Sequence, residues 1–187
     1  MITVACVNVG NYLGHGEEYV DKLCKMVACN LSFSHQFVCI RESDKPGWFA
    51  KCDLFRPGRF SGRVLYLDLD TLVVGSLDRL VLNKGILHLR YWGWKRNDYG
   101  SGVMVWDAGE HEEIFALYDE TVPQRFKGDQ DWIQHVSEWP ALPTGLNVSY
   151  RYHCKRGPDA GAATVSFHGS PKPHEFPPDH WVTKAWN

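Results

Sequence analysis

Two aspartates one residue apart, Asp68 and Asp70, close the apolar run Val64-Leu65-Tyr66-Leu67 in the stretch "RVLYLDLDTLVVGSLDRL" (63–80). Hard carboxylate oxygens at i and i+2 on a strand end can share one divalent ion, and such an ion neutralises phosphate oxygens. In an open α/β sheet, ligands sit outside the carboxyl ends of the strands, where this pair falls if the run is a central strand. An arbitrary D-x-D is more often a turn cap beside a solvated acid. The apolar residues before the pair and the Thr-Leu-Val-Val after it argue against a solvated turn and mark the two acids as a functional pair.

A second cluster lies far along the chain, in "VSFHGSPKPHEF" (165–176). His168 follows an apolar strand pattern and can complete a metal site with the aspartates. Neutral imidazole suits Mn²⁺ better than Mg²⁺. Gly169 allows backbone amides to approach a phosphate closely, and Lys172 can neutralise a diphosphate. Taken singly, the histidine reads as a satisfied core residue and the lysine as a surface charge. Their combination after a strand is what points to a site.

Residues so far apart need a sheet to bring them together. Of the 187 residues, 44% are hydrophobic and 22% charged, the ordinary mix of a globular domain. The net charge of −2 supplies no positive field toward nucleic acid or anionic membrane. The six cysteines form no C-x-x-C pair, and several lie inside apolar runs, so they read as reduced packing residues and favour a cytoplasmic setting. "MITVACVNVGN" has no basic leader and reads as a first strand; no run approaches the length of a membrane span.

The periodicity predicts a strand at "ITVACVNV" and a helix at "GEEYVDKLCKMVACNL", with Tyr19, Val20, Leu23, Met26 and Val27 on one face. Strands follow at "HQFVCI", "RVLYLDLD", "GILHLR" and "ATVSFHG". "KPGWFAKCDLF" reads as a loop entering a short helix, and "YGSGVMVWDA" as a Gly-Ser turn entering a strand. "EHEEIFALYDETV" predicts a full helix with Ile114, Leu117 and Tyr118 on one side, and "DQDWIQHVSEW" another. Alternating strand and helix through the first seventy residues argues a single α/β domain over 1–187 with largely parallel strands. "RYWGWKRND" (90–98) and "RYHCKRG" (151–157) mix cations with aromatics, able to stack on sugars or bases or simply to cover the surface.

"LYLDLDTL" also resembles haloacid-dehalogenase-type phosphatases, in which the first Asp is a nucleophile and the second a general acid. That motif ends the first strand of its domain and is followed by an acidic pair after an apolar strand. Here strand, helix and strand precede it, and "GDQD" (128–131) follows the polar "VPQRFK". The chain more closely resembles GT-A-fold glycosyltransferases related to family 8, the glycogenin and bacterial galactosyltransferase group, and in particular its small bacterial and phage members. Four segments carry the resemblance in family order: "EEYVDKLCKMV", "GRVLYLDLDTLVVGSLDRL", "YGSGVMVW" with "GDQDWI", and "SFHGSPKPHEF".

The resemblance implies a GT-A fold, a Rossmann-like domain with a mixed, mostly parallel sheet. It implies Mn²⁺ or Mg²⁺ on Asp68, Asp70 and His168, and Lys172 on the diphosphate of a nucleotide-sugar donor. Lys51 would help hold the diphosphate or donor sugar; Asn8, Val9 and Gly10 would receive base and ribose. Asp129 and Gln130 would lie against the donor sugar, with Asp131 in support, although Asp129 equally suits the N-cap of the following helix. The activity implied is transfer of a sugar, with retention, from a UDP-sugar to a hydroxyl acceptor. A saccharide is the default acceptor, with a hydroxymethylated DNA base or a lipid-linked sugar behind it; a non-catalytic nucleotide-sugar binding module is the remaining alternative. Two departures stand out: His168 and Lys172 are only four apart, with His174 where the family has Trp, and the chain lacks the basic-aromatic C-terminal extension of membrane-associated relatives.

Overall fold

The computed structural model describes residues 1–93 and 98–187, so that 94–97 of the "RYWGWKRND" stretch lie outside the described residues. The N-terminal run forms β1 (Ile2–Val7) and leads into α1 (Gly16–Asn30), whose Tyr19, Leu23 and Val27 are buried. Glu17 and Glu18 occupy the first turn, where carboxylates suit the positive end of the helix dipole. Then come β2 (His35–Ile40), a 3₁₀ segment (Gly47–Phe55), β3 (Arg63–Leu67), β4 (Leu72–Val73), α2 (Asp78–Val81), β5 (Gly85–His88) and β6 (Tyr99–Asp107). The second half adds α3 (Glu113–Ala116), α4 (Val122–Arg125), α5 (Asp129–Val136), β7 (Asn147–Ser149), α6 (Tyr150–His153), β8 (Thr164–Ser166) and α7 (Trp181–Trp186).

The main sheet has the order β2-β1-β3-β6-β5. β1 pairs in parallel with both β2 and β3, while β6 runs antiparallel to β3 and β5 antiparallel to β6. All but β6 therefore point the same way, and the sheet is mixed and mostly parallel. A smaller sheet, β4-β8-β7, packs beside it.

Both faces of the main sheet are covered, which is why its strands read as unbroken apolar runs. Side chains alternate strictly between two cores. Val4, Cys6, Leu65, Leu67, Val103 and Val105 face α1, α7 and the small sheet. Ala5, Val64, Tyr66, Met104 and Trp106 face the 3₁₀ segment, α3, α5 and Trp139. All six cysteines are free, and Cys6, Cys52 and Cys154 are buried. Among the described residues no helix is long and apolar enough to cross a membrane.

Two local expectations are corrected. The helix predicted across "EHEEIFALYDETV" is broken: α3 spans Glu113–Ala116, Leu117 is 58% exposed, and α4 restarts at Val122. Asp119 causes the break, because its carboxylate accepts from the Thr121 amide (2.8 Å) and hydroxyl (2.6 Å) and so competes with helix continuation. The Gly-Ser stretch 99–103 is not a turn but the start of β6. A Cβ at Gly100 would lie 2.8 Å from the Leu89 side chain, and one at Gly102 would lie 3.0 Å from the Asp68 carboxylate. These glycines give close neighbours room rather than bending the chain.

Candidate active site

β3 ends at Leu67, so the two aspartates leave the sheet in a turn at its carboxyl end. The Asp68 amide donates to the Gly102 carbonyl (2.8 Å) and the Thr71 amide to the Asp68 carbonyl (2.9 Å), which fixes the turn against β6. A cavity of about 600 Å³ opens there. Its lining brings together Lys51, Asp68, Asp70, Asp129, Gln130, His168 and Lys172, drawn from four separate segments of the chain. Val9 and Tyr12 line it from the loop after β1.

The two carboxylates diverge, each toward its own lysine. Asp68 lies 2.9 Å from the Lys51 ammonium and accepts from the Tyr66 hydroxyl at 2.6 Å. Tyr66 and Asp68, two apart, share the strand face that Lys51 covers from the 3₁₀ segment. Asp70 is 8% exposed and accepts from the Lys172 ammonium and, at 2.9 Å, from the Tyr12 hydroxyl. Burial and the neighbouring Asp68 charge push the Asp70 carboxyl above the usual range, while Lys172 and Tyr12 pull it back. The phenols of Tyr12 and Tyr66 are pushed well up, chiefly by burial and then by the adjacent carboxylates, so both stay protonated donors.

Lys51 has a second carboxylate. Its ammonium is 2.9 Å from Asp129 and 3.2 Å from the Ser101 hydroxyl, which itself donates to Asp129. An ammonium carries three donors, and all three are engaged by Asp68, Asp129 and Ser101. Burial disfavours the charge, but Asp129 and Asp68 outweigh it and hold the Lys51 pKa above its ordinary value. Lys51 thus ties Asp68 to Asp129 at the start of α5 instead of standing free for a phosphate.

Asp129 is the first residue of α5, and it caps nothing with its side chain; Gly128 holds the N-cap position. Its carboxylate turns into the cavity. Gln130 lines the same wall, and among the described residues its amide has no hydrogen-bond partner. Asp131, expected in support, is exposed and does not line the cavity.

His168 is stacked between Trp92 (centroids 5.4 Å) and Tyr152 (5.4 Å). Its Nε2 is 3.4 Å from the Ser149 hydroxyl, and its Nδ1 is buried without a hydrogen-bond partner. Burial, then the positive charges of Arg151 and Lys172, lower its pKa and keep the ring neutral. The loop carrying Lys172 is ordered by Glu175, which accepts from the Lys172 amide and, at 2.8 Å, from the Ser170 hydroxyl. His174 shares a 2.6 Å hydrogen bond with the Tyr19 hydroxyl and ties this loop to α1.

Some expected residues do not reach the cavity. Asn8 is 6% exposed and spends its amide on Glu17 (2.9 Å) and the Tyr12 backbone (3.2 Å), bracing the loop between β1 and α1. Gly10 has φ +79° and shapes that loop from outside the lining. Gly169 also lies outside the lining, with φ +71° and the Arg151 guanidinium beside it. The expected trio of Asp68, Asp70 and His168 shares the cavity but is not drawn into one coordination sphere: among the described residues no His/Cys/Asp/Glu group is placed to hold an ion. The Lys172 ammonium sits on Asp70 instead.

The donor chemistry nevertheless suits a divalent ion. His168 offers a buried, unbonded ring nitrogen and the aspartates offer hard oxygens. Among the described residues the lining carries three carboxylates against two ammoniums, a balance that disfavours a diphosphate unless a further cation enters with it.

No protein-family model matches the chain, and no curated protein matches it. Solved structures do. The galactosyltransferase LgtC, solved with donor and acceptor sugar analogues, aligns at 17% identity with a TM-score of 0.67 over 98% of this chain and 95% of its own. The glycosyltransferase GlyE of Streptococcus pneumoniae TIGR4 aligns at 14% identity and TM-score 0.71, over 100% of this chain and 60% of its own. A glycosyltransferase involved in glycosylation of the major capsid of PBCV-1 aligns at 14% identity and TM-score 0.65, over 91% and 94%. The fold is GT-A. At these identities the likeness carries the fold and no more, and the GT-A fold removes the haloacid-dehalogenase alternative.

Proposed function

We propose that the chain is a metal-dependent, retaining glycosyltransferase of the family 8 type, moving a sugar from a nucleotide-diphosphate sugar, UDP-linked by preference, to a hydroxyl acceptor, with a saccharide as the default. The observation that carries the reading is the cavity at the carboxyl end of β3, where Asp68, Asp70, Lys51, Asp129, Gln130, His168 and Lys172 line one wall-to-wall space in a GT-A fold.

Asp68, Asp70 and His168 are the residues that would hold Mn²⁺ or Mg²⁺. When bound, the ion supplies positive charge to the diphosphate leaving group. Lys172 supplies the same kind of charge from the protein. In the free chain it neutralises Asp70, and it is within reach of the diphosphate only after leaving that carboxylate. Lys51 acts as a positioning residue, holding Asp68 and Asp129 in fixed relation. Asp129 and Gln130 then orient the sugar hydroxyls, and the negative carboxylate favours the positive character that develops at the anomeric carbon. All three cavity carboxylates are already committed to an ammonium, so front-face attack without a covalent intermediate fits them better than nucleophilic catalysis.

A screen of nucleotide sugars for release of the free nucleotide in the presence of Mn²⁺, followed by NMR of the product's anomeric proton, tests this reading. Turnover with retained configuration is expected. Inversion at the anomeric carbon would overturn the retaining assignment, and donor binding with no turnover under any condition would make the chain a binding module.

A further inference from the structure

Trp48 is 67% exposed, the one exposed tryptophan among the described residues, although its neighbours Phe49 and Ala50 are buried. It stands at the start of the 3₁₀ segment, following Gly47 in the left-handed region (φ +55°), and it lines the active-site cavity. Its pyrrole edge lies against Gly128, where a Cβ would sit 3.7 Å from Cδ1 and 4.0 Å from Nε1. The loop before it is anchored by Lys45, whose ammonium is buried 3.0 Å from Asp53 and lies over the Phe115 ring at 4.6 Å. The Phe49 amide closes the turn on the Pro46 carbonyl at 3.1 Å.

An indole left largely in water forgoes the burial that usually stabilises so large an apolar ring. Gly128 immediately precedes Asp129 and Gln130, so the exposed ring borders the two side chains with the chemistry to bind hydroxyls. A flat apolar face beside a carboxylate and a free amide matches a pyranose, which has one C–H face and a rim of hydroxyls.

We infer that Trp48 is a stacking platform for a pyranose ring at the edge of the Asp129–Gln130 wall; the inference rests on the glycosyltransferase reading and adds to it a sugar subsite built by the 3₁₀ segment. The ring could belong to the donor or to a saccharide acceptor, and one experiment separates them. The chain is labelled with 5-fluorotryptophan, and the Trp48 fluorine resonance is assigned by its loss in Trp48→Phe. Trp92, in the same cavity, is assigned in the same way and serves as the internal reference.

UDP with Mn²⁺ is expected to leave the Trp48 resonance in place. Displacement by UDP-galactose or UDP-glucose assigns the platform to the donor sugar. Displacement by lactose or methyl β-galactoside assigns it to the acceptor. Movement with UDP alone would overturn the proposal, because the indole would then be stacking a base. A Trp48 resonance fixed in every arm while Trp92 responds to UDP would also overturn it and leave the glycosyltransferase reading standing. Response to free saccharide with none to any nucleotide would keep the platform and remove the donor assignment. Trp48→Ala is expected to weaken the sugar arm by about tenfold and Trp48→Phe by much less, as for loss or retention of an aromatic face, with UDP affinity unchanged in both.

Discussion

Each aspartate of the D-x-D pair has a lysine of its own, and the two pairs do different work. Asp70 pairs with Lys172, the residue proposed to serve the diphosphate, whereas Asp68 pairs with Lys51, which also reaches Asp129. Burial and Asp68 already disfavour the charged form of Asp70, and Lys172, on the cavity lining, can turn its ammonium toward water, so an amide of the same shape costs the fold little. Asp70→Asn should therefore melt near the parent temperature while transfer falls about 10²-fold or more, the scale on which removal of transition-state charge stabilisation is felt. Unchanged turnover in that variant would show that Asp70 is not part of the machinery. Lys51→Met should behave in the opposite way, because it leaves two carboxylates facing each other without their shared cation. Breaking a buried pair from one side costs about 3–5 kcal/mol, and chemical denaturation should find Lys51→Met destabilised on that scale. The double variant Lys51→Met/Asp129→Asn should recover part of it; no recovery would mean that Lys51 contributes packing alone. The pairing of Tyr66 with Asp68 was readable from their spacing of two on a strand, whereas Tyr12 meets Asp70 across fifty-eight residues and leaves no local signal.

At the scale of elements, β6 shows what pattern reading could not supply. Gly100 and Gly102 look like turn residues until their neighbours are known, and their neighbours are Leu87 and Leu89 at the end of β5 and just past it, and Asp68 in the turn after β3. Gly102→Ala would place a methyl 3.0 Å from the Asp68 carboxylate. It should weaken Mn²⁺-dependent UDP binding by about tenfold or more through misplacement of that group, with the melting temperature little altered; a normal affinity would mean the Asp68 carboxylate moves aside freely. The strands and α1 were legible because two covered faces demand continuous apolar runs and one covered face demands helical spacing. The α3–α4 break was not, since it turns on a side-chain hydrogen bond from Asp119. The segment after β6 also carries an acid-sensitive histidine. His111 stacks on Trp139 at 3.7 Å and hydrogen-bonds Ser137 at 2.7 Å, and burial holds its pKa below the ordinary 6.5. The unfolded chain then binds the extra proton first, so stability is full above about pH 6.5 and declines as pH falls toward the lowered folded-state value. Unfolding free energy measured from pH 7.5 down to pH 5 should show that decline, and His111→Asn, which accepts the residue's positive φ of 61°, should flatten it. An identical slope in the variant would assign the decline elsewhere.

The whole molecule is a GT-A sheet with its chemistry gathered at one edge of one strand, and the long-range order of four motifs was what made that architecture legible. Sequence order placed His168 and Lys172 with the aspartates, and the fold does bring all four to one cavity. It could not foresee that Lys172 would rest on Asp70, because that contact depends on the tight loop set by Glu175 and by His174 against Tyr19. Nor could it foresee that Asn8 would brace its own loop. Among the described residues the cavity lining has more carboxylates than ammoniums, which makes the central claim a sharp one: a nucleoside diphosphate should enter only with a divalent cation. Calorimetric titration with UDP, first with Mn²⁺ and then with EDTA, tests it most directly. Binding that requires Mn²⁺ and disappears in Asp70→Asn is the predicted result. Binding of equal strength in EDTA, or none in either condition, would contradict it.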